Sequence, residues 1–209
     1  MDDTRNDNIE IEKEVLLLVE GGDDKRLFDA LIKHLSLPPV QIISYEGKNK
    51  FKNKIGVIAT KTPGFQNISC IGIARDADDN PQGAFQSIID ALKSYGLDAP
   101  KNPLEITAGK PKIAVMIIPG IGRTGELEDV CLESLNNDPA ITCVNQYFEC
   151  LHNKNIDISR RIAKAKIYVF LASKPEPGKR IGEAAQAGYF NFDDKAYQPF
   201  KEFLQLINQ

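Results

Sequence analysis

Residues 14–24 read Glu-Val-Leu-Leu-Leu-Val-Glu-Gly-Gly-Asp-Asp. Five consecutive aliphatic residues are too few for a helix and suit a strand that is buried on both faces. The two glycines end the strand, and Asp23 and Asp24 stand where acidic side chains favour the start of a helix. This order of strand, turn and helix predicts a parallel α/β fold.

The same alternation continues along the first half of the chain. Strands are predicted at residues 14–19, 40–44, 68–74 and 112–118, and helices at 23–35, 50–60 and 82–95. From Glu126 onward the apolar spacing becomes helical, at 126–136, 139–152, 158–172 and 198–207. We therefore expect one domain over residues 1–209. Its α/β core, residues 14–136, has a Rossmann-like parallel sheet with helices on both faces, and residues 137–209 form a helical C-terminal extension packed on it.

Composition excludes several classes of protein. The chain has 209 residues, of which 42% are hydrophobic, and this is enough for a substantial core. No apolar run approaches the roughly 18–20 residues that span a bilayer. The polar, acidic residues 1–14 do not match a signal peptide, and the four cysteines lack the spacing of a zinc site. A net charge of −3 argues against a general nucleic-acid coat protein. We expect a reduced, cytoplasmic protein without a membrane partner.

Acidic residues gather at the ends of three predicted strands. The three clusters are Glu20 with Asp24, then Asp76, Asp78 and Asp79, and finally Glu126, Glu128 and Asp129. The carboxyl ends of parallel strands share one edge of a sheet, so these clusters are expected to converge. Loops and helix N-termini favour acids in any case, and that explanation suffices for a single cluster. Three clusters together favour a bound Mg²⁺ or Mn²⁺, which would relieve the repulsion between carboxylates and support phosphodiester chemistry.

Three familiar motifs do not fit. Asp76-x-Asp78-x-Asn80 begins like a calcium-binding loop, but Pro81 stands where glycine is needed. Gly120-x-Gly122-x-x-Gly125 matches a dinucleotide fingerprint, but it follows the last strand and precedes three acids that would repel a pyrophosphate. An aspartyl phosphatase would carry its Asp-x-Asp on the first strand, with Thr or Val after the second Asp.

Two segments, residues 18–24 (Leu-Val-Glu-Gly-Gly-Asp-Asp) and 76–78 (Asp-Ala-Asp), resemble the Toprim domain. Topoisomerases, DnaG-type primases and the overcoming-lysogenization-defect (OLD) nucleases share that domain. The sequence is most similar to a Toprim-like family of uncharacterised bacterial proteins, which carries a Pro…Gly-x-Leu-Glu-Asp segment and a late Glu-Pro-Gly segment. Here these are residues 119–129 and 171–178, and the resemblance extends from about residue 14 to residue 206.

The resemblance implies roles for individual residues. Glu20 would act as a general acid/base or metal ligand, and Asp76 and Asp78 as the pair that binds Mg²⁺. Asp24 matches an extra acid of the OLD nucleases, and Glu128, with Asp129 or Glu126 as less direct matches, would hold a second metal. Lys166 matches a lysine that stabilises the transition state, although an exposed helix lysine is the simpler explanation. The implied catalytic residues are thus Glu20, Asp76, Asp78 and Lys166, and the implied metal ligands are Glu20, Asp24, Asp76, Asp78, Glu128 and Asp129.

Basic residues offer possible contacts for nucleic acid. Lys48, Lys50, Lys52 and Lys54 surround Phe51 and would either follow phosphates or form a solvated helix face. Arg75 and Arg123 would contact a phosphate or pair with nearby acids. We expect a Mg²⁺- or Mn²⁺-dependent nuclease acting on DNA or RNA, and an oligomer stays open. The alternatives are a non-catalytic metal- or phosphate-binding regulatory module and a nucleotide phosphohydrolase.

Overall fold

The predicted α/β fold is confirmed by four parallel strands, β1 (Val15–Val19), β2 (Gln41–Ser44), β3 (Cys70–Asp76) and β4 (Lys112–Ile118), which form a sheet in the order β2-β1-β3-β4. The computed structural model describes residues 9–209, so most of the polar segment that was weighed as a signal peptide lies outside the described residues. The helices between the strands are α1 (Gly22–His34), α2 (Phe51–Lys61) and α3 (Pro81–Ser94).

The second half of the chain is helical, as predicted. Its elements are α4 (Leu127–Glu133), α5 (Pro139–Asn153), α6 (Ile162–Ala172), α7 (Ile181–Gln186) and α8 (Gln198–Ile207). The helices predicted at 126–136 and 158–172 are shorter than expected. In the second case the predicted helix began at Ile158, but Ile158 is exposed in the loop before α6. The six-residue α7 was not predicted because it is too short to show a periodic pattern.

Alternate residues of the strands belong to two separate hydrophobic cores, one on each face of the sheet. Leu17 and Val19 of β1 pack with α1 and the helices after β4, whereas Leu16 and Leu18 pack with α2 and α3. A strand that is buried on both faces needs apolar residues at every position, which is the pattern that the sequence shows. Within residues 9–209, each helix is too short or too polar to cross a membrane.

Two glycines allow α8 and α7 to pack very close to neighbouring elements of the fold. A Cβ atom on Gly72 of β3 would lie 3.0 Å from Ile207 and 3.1 Å from Phe203, so α8 packs directly on the strand at this glycine. A Cβ atom on Gly182 of α7 would lie 2.7 Å from the Cβ of Arg26 and 2.8 Å from the carbonyl oxygen of Asp23. The Gly182 N–H also donates to the Asp23 carboxylate over 3.1 Å. These contacts hold α7 against the first turns of α1.

We predict that Gly182→Ala lowers the free energy of unfolding by about 1–3 kcal/mol, because the added methyl group forces α7 away from α1. Gly178→Ala is the matched control, since a Cβ atom at Gly178 meets nothing within 4 Å. Urea unfolding of both variants measures the difference. Equal stabilities would show that the α1–α7 contact is not tightly packed.

Candidate functional site

The carboxyl edge of the sheet carries a pocket of about 280 Å³, here called the acidic pocket. It contains residues from the end of every strand except β2, together with basic side chains from the loop after β2 and from the start of α6. The charged residues that line it are Glu20, Asp23, Asp24, Asp76, Asp78, Glu126, Glu128, Lys48, Arg161 and Lys164. A larger hollow of about 830 Å³ beside β2 contains none of the predicted site residues.

The structure brings together five of the seven residues predicted for the site. Glu20, Asp24, Asp76, Asp78 and Glu128 all line the acidic pocket, although they lie up to 108 positions apart in the sequence. The register of the strands explains this, because residues 15–18 of β1 pair with residues 70–73 of β3, and β3 pairs with β4 along its whole length. The three strands therefore end side by side, as the sequence predicted for a parallel sheet.

Asp129 lies just outside the acidic pocket. Its carboxylate accepts a hydrogen bond of 2.8 Å from the backbone N–H of Glu126 and so caps the first turn of α4. It lines the adjoining groove, while Glu126, the less direct match, lines the acidic pocket itself. Asp129 therefore caps α4 and does not line the acidic pocket.

Lys166 points away from the acidic pocket, contrary to the expectation from the resemblance. Its Nζ donates to Asn145 Oδ1 of α5 over 2.7 Å, and the residue is half-buried. Lys164, two residues earlier on α6, reaches the pocket instead and places its Nζ 2.7 Å from Glu128 Oε1. Residues two apart on an α-helix point about 200° apart, so only one of the two lysines can face the sheet edge.

Local backbone interactions fix the acids at the ends of β1 and β3. Asp24 Oδ2 accepts from the Gly21 N–H over 2.9 Å, which caps the start of α1. Asp76 Oδ1 accepts from the Leu127 N–H over 3.1 Å, which joins the end of β3 to the start of α4. Asp78 has a φ of 48° and exchanges two backbone hydrogen bonds with Gly125, of 3.0 and 2.8 Å. The loops that follow β3 and β4 are thereby held together.

Glu20 has one carboxylate oxygen committed and one open to a further contact. Oε1 accepts from the Lys48 N–H over 3.2 Å, whereas Oε2 is buried and has no hydrogen-bond partner among the described residues. Burial, together with the charge of Asp78, raises the pKa of Glu20, and the nearby Arg75 opposes this rise. An unpartnered buried oxygen carries an energetic cost that a ligand or ion would remove.

Crowding of carboxylates changes their protonation. Burial raises the pKa of Asp24 to about 7, with the charges of Glu20 and Glu128 adding to the effect. Burial also raises the pKa of Asp76 well above its usual value, and the neighbouring charges of Asp24, Glu20 and Glu128 act in the same direction. The pKa of Glu126 is raised mainly by burial. The pocket therefore binds protons more tightly than separate carboxylates would.

The carboxylate oxygens that line the pocket suit a hard divalent cation, which prefers oxygen ligands. The unpartnered Glu20 Oε2 is a further sign of fit. In residues 9–209, however, no three His, Cys, Asp or Glu side chains stand close enough together to hold one ion. Lysines and backbone N–H groups occupy their oxygens instead, as with Lys48 on Asp78 at 2.7 Å. Side chains would therefore have to turn to coordinate a metal.

The residues considered as contacts for nucleic acid make several contacts within the protein. Phe51 is buried and packs edge-on against Tyr45, so it is not available to stack on a nucleic-acid base. Of the four lysines around it, Lys48 lines the acidic pocket. Arg123 pairs with Glu133 at 2.7 Å, and Arg75 donates to Ser87.

Sequence reasoning missed Arg161 and Lys164, which both line the acidic pocket. The signal was weak, because a basic pair at 160–161 before a helix is common at protein surfaces. Asp23 was treated only as part of the helix start, yet it also lines the pocket.

Comparisons with known proteins agree with this fold. A family model described as "Protein of unknown function (DUF3226)" matches residues 14–209. No curated protein matches the chain with significance.

Solved structures with the same fold share little sequence with this chain. A hypothetical protein from Pyrococcus horikoshii OT3 has a TM-score of 0.57 at 15% identity, over 93% of this chain and 95% of that one. The C-terminal region of the OLD protein of Xanthomonas campestris pv. campestris gives 0.53 at 16% identity, covering 94% and 97%. The corresponding region from Burkholderia pseudomallei gives 0.50 at 15%, covering 95% and 98%.

We predict that the protein without added metal loses stability as the pH rises from about 4 to about 8. Asp24 has a folded pKa of about 7, above its unfolded value of 3.8, so its contribution is present below the unfolded pKa and is lost as pH rises through the folded pKa. The expected loss is on the order of a few kcal/mol. Urea unfolding in a chelating buffer measures it. Asp24→Asn cannot titrate and should flatten the dependence, while an equally steep Asp24→Asn profile would assign the effect to other groups.

Proposed function

The chain belongs to the DUF3226 family, described as proteins of unknown function. From the residues of the acidic pocket, we propose that the protein is a metal-dependent phosphodiester hydrolase that acts on DNA or RNA. The observation that carries the proposal is the meeting of Glu20, Asp24, Asp76, Asp78 and Glu128 in one pocket at the carboxyl edge of the sheet. Carboxylates crowded in this way stay ionised at neutral pH when a divalent cation lies among them.

The order of these acids along the chain also supports a Toprim-like site. A Glu follows the first strand and an Asp-x-Asp pair follows the third, and the OLD C-terminal regions that share the fold come from a family with nuclease members. The likeness in sequence is only 15–16%, so the proposal depends on the residues of this pocket.

Each acid then has a proposed part. Asp76 and Asp78 would hold a first Mg²⁺ or Mn²⁺, with Glu20 and Asp24 beside them, and Glu128 would complete a second site. A bound cation would supply an activated water and neutralise charge on the phosphate. Glu20 is suited to proton transfer, because its Oε2 is unpartnered and its pKa is raised by burial. Lys164 takes the position at the pocket that the resemblance gave to Lys166.

We expect nicking of supercoiled plasmid in Mn²⁺ or Mg²⁺ that falls on the order of 100-fold in Asp76→Asn and in Asp78→Asn. Asn keeps the shape of Asp76, and its amide oxygen can still accept from the Leu127 N–H. Asp90→Asn is the matched control, because Asp90 is exposed on α3, accepts from Gln86 of the same helix and does not line the acidic pocket. Wild type and pocket variants that behave alike on both plasmid and RNA would exclude the nuclease.

Metal binding can be tested without turnover. Divalent cations should raise the melting temperature, and more so at about pH 8 than at about pH 5, since protons compete for the same carboxylates. Asp76→Asn should lose most of this shift, and the Asp90→Asn control should keep it. Stabilisation by metal without cleavage of any nucleic acid would favour the regulatory module. Release of phosphate from mononucleotides alone would favour the nucleotide phosphohydrolase.

A further inference from the structure

Three basic side chains enter the acidic pocket, and a pocket carboxylate holds each of them. Lys48 Nζ lies 2.7 Å from Asp78 Oδ2. Arg161 Nη2 lies 2.8 Å from Glu126 Oε1, and Lys164 Nζ lies 2.7 Å from Glu128 Oε1. The proposed function uses these carboxylates and leaves Lys48 and Arg161 without a role.

The cations come from opposite ends of the strand order. Lys48 follows β2, and its loop is anchored by two bonds from the Gly47 and Lys48 N–H groups to the carbonyl and carboxylate oxygens of Glu20, of 3.0 and 3.2 Å. Arg161 and Lys164 lie at the start of α6, which packs on α4 beyond β4. Local sequence does not bring these residues together, so their meeting depends on the tertiary structure.

A second cavity adjoins the acidic pocket and is bordered by the same cations. It has a volume of about 540 Å³. Four basic and five acidic residues line it, namely Lys48, Arg160, Arg161 and Lys164 together with Asp78, Asp79, Glu126, Glu128 and Asp129. An extended phosphate-bearing ligand would find room in both cavities and would meet basic residues in each, once its repulsion by the acids is offset.

The ion pairs of Lys48 and Arg161 are easy to exchange. The Lys48 side chain is 49% exposed and that of Arg161 is 62% exposed, so water screens both pairs and each contributes little to folding. A phosphate oxygen offers the same cation a partner of equal or greater strength, and the Arg fork suits phosphate in particular.

Negative charge nevertheless disfavours phosphate binding as long as no cation is bound to the carboxylates. Seven acidic and three basic side chains line the acidic pocket, which is a formal excess of four negative charges. An anion would meet this excess unless protons or a divalent cation offset it. Occupation of Asp78, Glu126 and Glu128 by a cation would remove the repulsion and also release the three basic side chains.

We propose that Lys48, Arg161 and Lys164 form a phosphate-binding site that becomes available when a divalent cation takes their carboxylate partners, so that metal and phosphate bind cooperatively. This rests on the proposed function, because it requires a metal among the acids. Linkage makes the effect reciprocal: the metal strengthens phosphate binding by the same factor as phosphate strengthens metal binding.

The test measures binding, not turnover. A short fluorescent single-stranded oligonucleotide is titrated with protein, followed by anisotropy, with and without Ca²⁺, which takes the same oxygen ligands. Ionic strength is held constant, because screening changes every affinity. We expect Ca²⁺ to tighten binding about tenfold in the wild type and about twofold or less in Arg161→Gln and in Lys48→Gln. Both residues are half-exposed or more, so these variants should fold normally, and circular dichroism checks this.

Lys154→Gln is the matched control, since it removes the same charge from an exposed position at the end of α5. Coupling in Arg161→Gln and Lys48→Gln equal to that of this control would overturn the proposal. Calorimetric titration of Ca²⁺ with and without oligonucleotide should give the same coupling factor as the anisotropy experiment. Unlabelled thymidine monophosphate as competitor distinguishes a phosphodiester chain from a phosphomonoester, which presents similar oxygens.

Failure of this inference is distinguishable from failure of the proposed function. Cleavage of nucleic acid without coupling would leave the hydrolase standing and overturn the phosphate site. Coupling without cleavage would support the phosphate site and favour the regulatory module. A wild-type protein that binds no divalent cation would overturn both.

Discussion

The parallel hydrogen bonding of β1, β3 and β4 determines where every acidic side chain of the site lies. Because β1 and β4 both pair with β3 in parallel, the three strands end at one edge, and each continues into a turn that carries acids. A shift of β4 by one residue would turn its alternate side chains to the opposite core. The two separate cores hold that register, since every residue of β1 and β4 except the first is buried against one or the other.

The shared edge brings many negative charges close together, and other groups of the site partly compensate for them. Backbone N–H groups at the starts of α1 and α4 bind Asp24 and Asp76, while Lys48, Arg161 and Lys164 neutralise Asp78, Glu126 and Glu128. These contacts are incomplete, as the unpartnered Glu20 Oε2 and the raised pKa values of Glu20, Asp24 and Asp76 show. A pocket with incomplete compensation binds protons tightly, and carboxylates of that kind are also good ligands for hard cations.

The fold is shared with proteins that have little sequence in common with this chain. The OLD C-terminal regions and the Pyrococcus protein align over more than nine tenths of the chain at 15–16% identity. Such a likeness establishes the arrangement of strands and helices and leaves chemistry to individual side chains. Function here therefore depends on a small set of residues at one edge of the sheet.

The sequence by itself determined the strands, their order along the chain and the acids that meet at their ends. Strand length, aliphatic runs and glycine turns are local signals, and the geometry of a parallel sheet converts them into a shared edge. Contacts between distant segments left no such local signal. Gly182 has a structural role because α7 lies so close to Arg26 and Asp23 of α1 that a Cβ atom would not fit between them. The rotation of α6 about its axis turns Lys164 toward Glu128 and Lys166 toward Asn145. Tertiary packing alone decided these, since the orientation of a helix depends on the surface it packs against, whereas its sequence specifies only the spacing of its side chains.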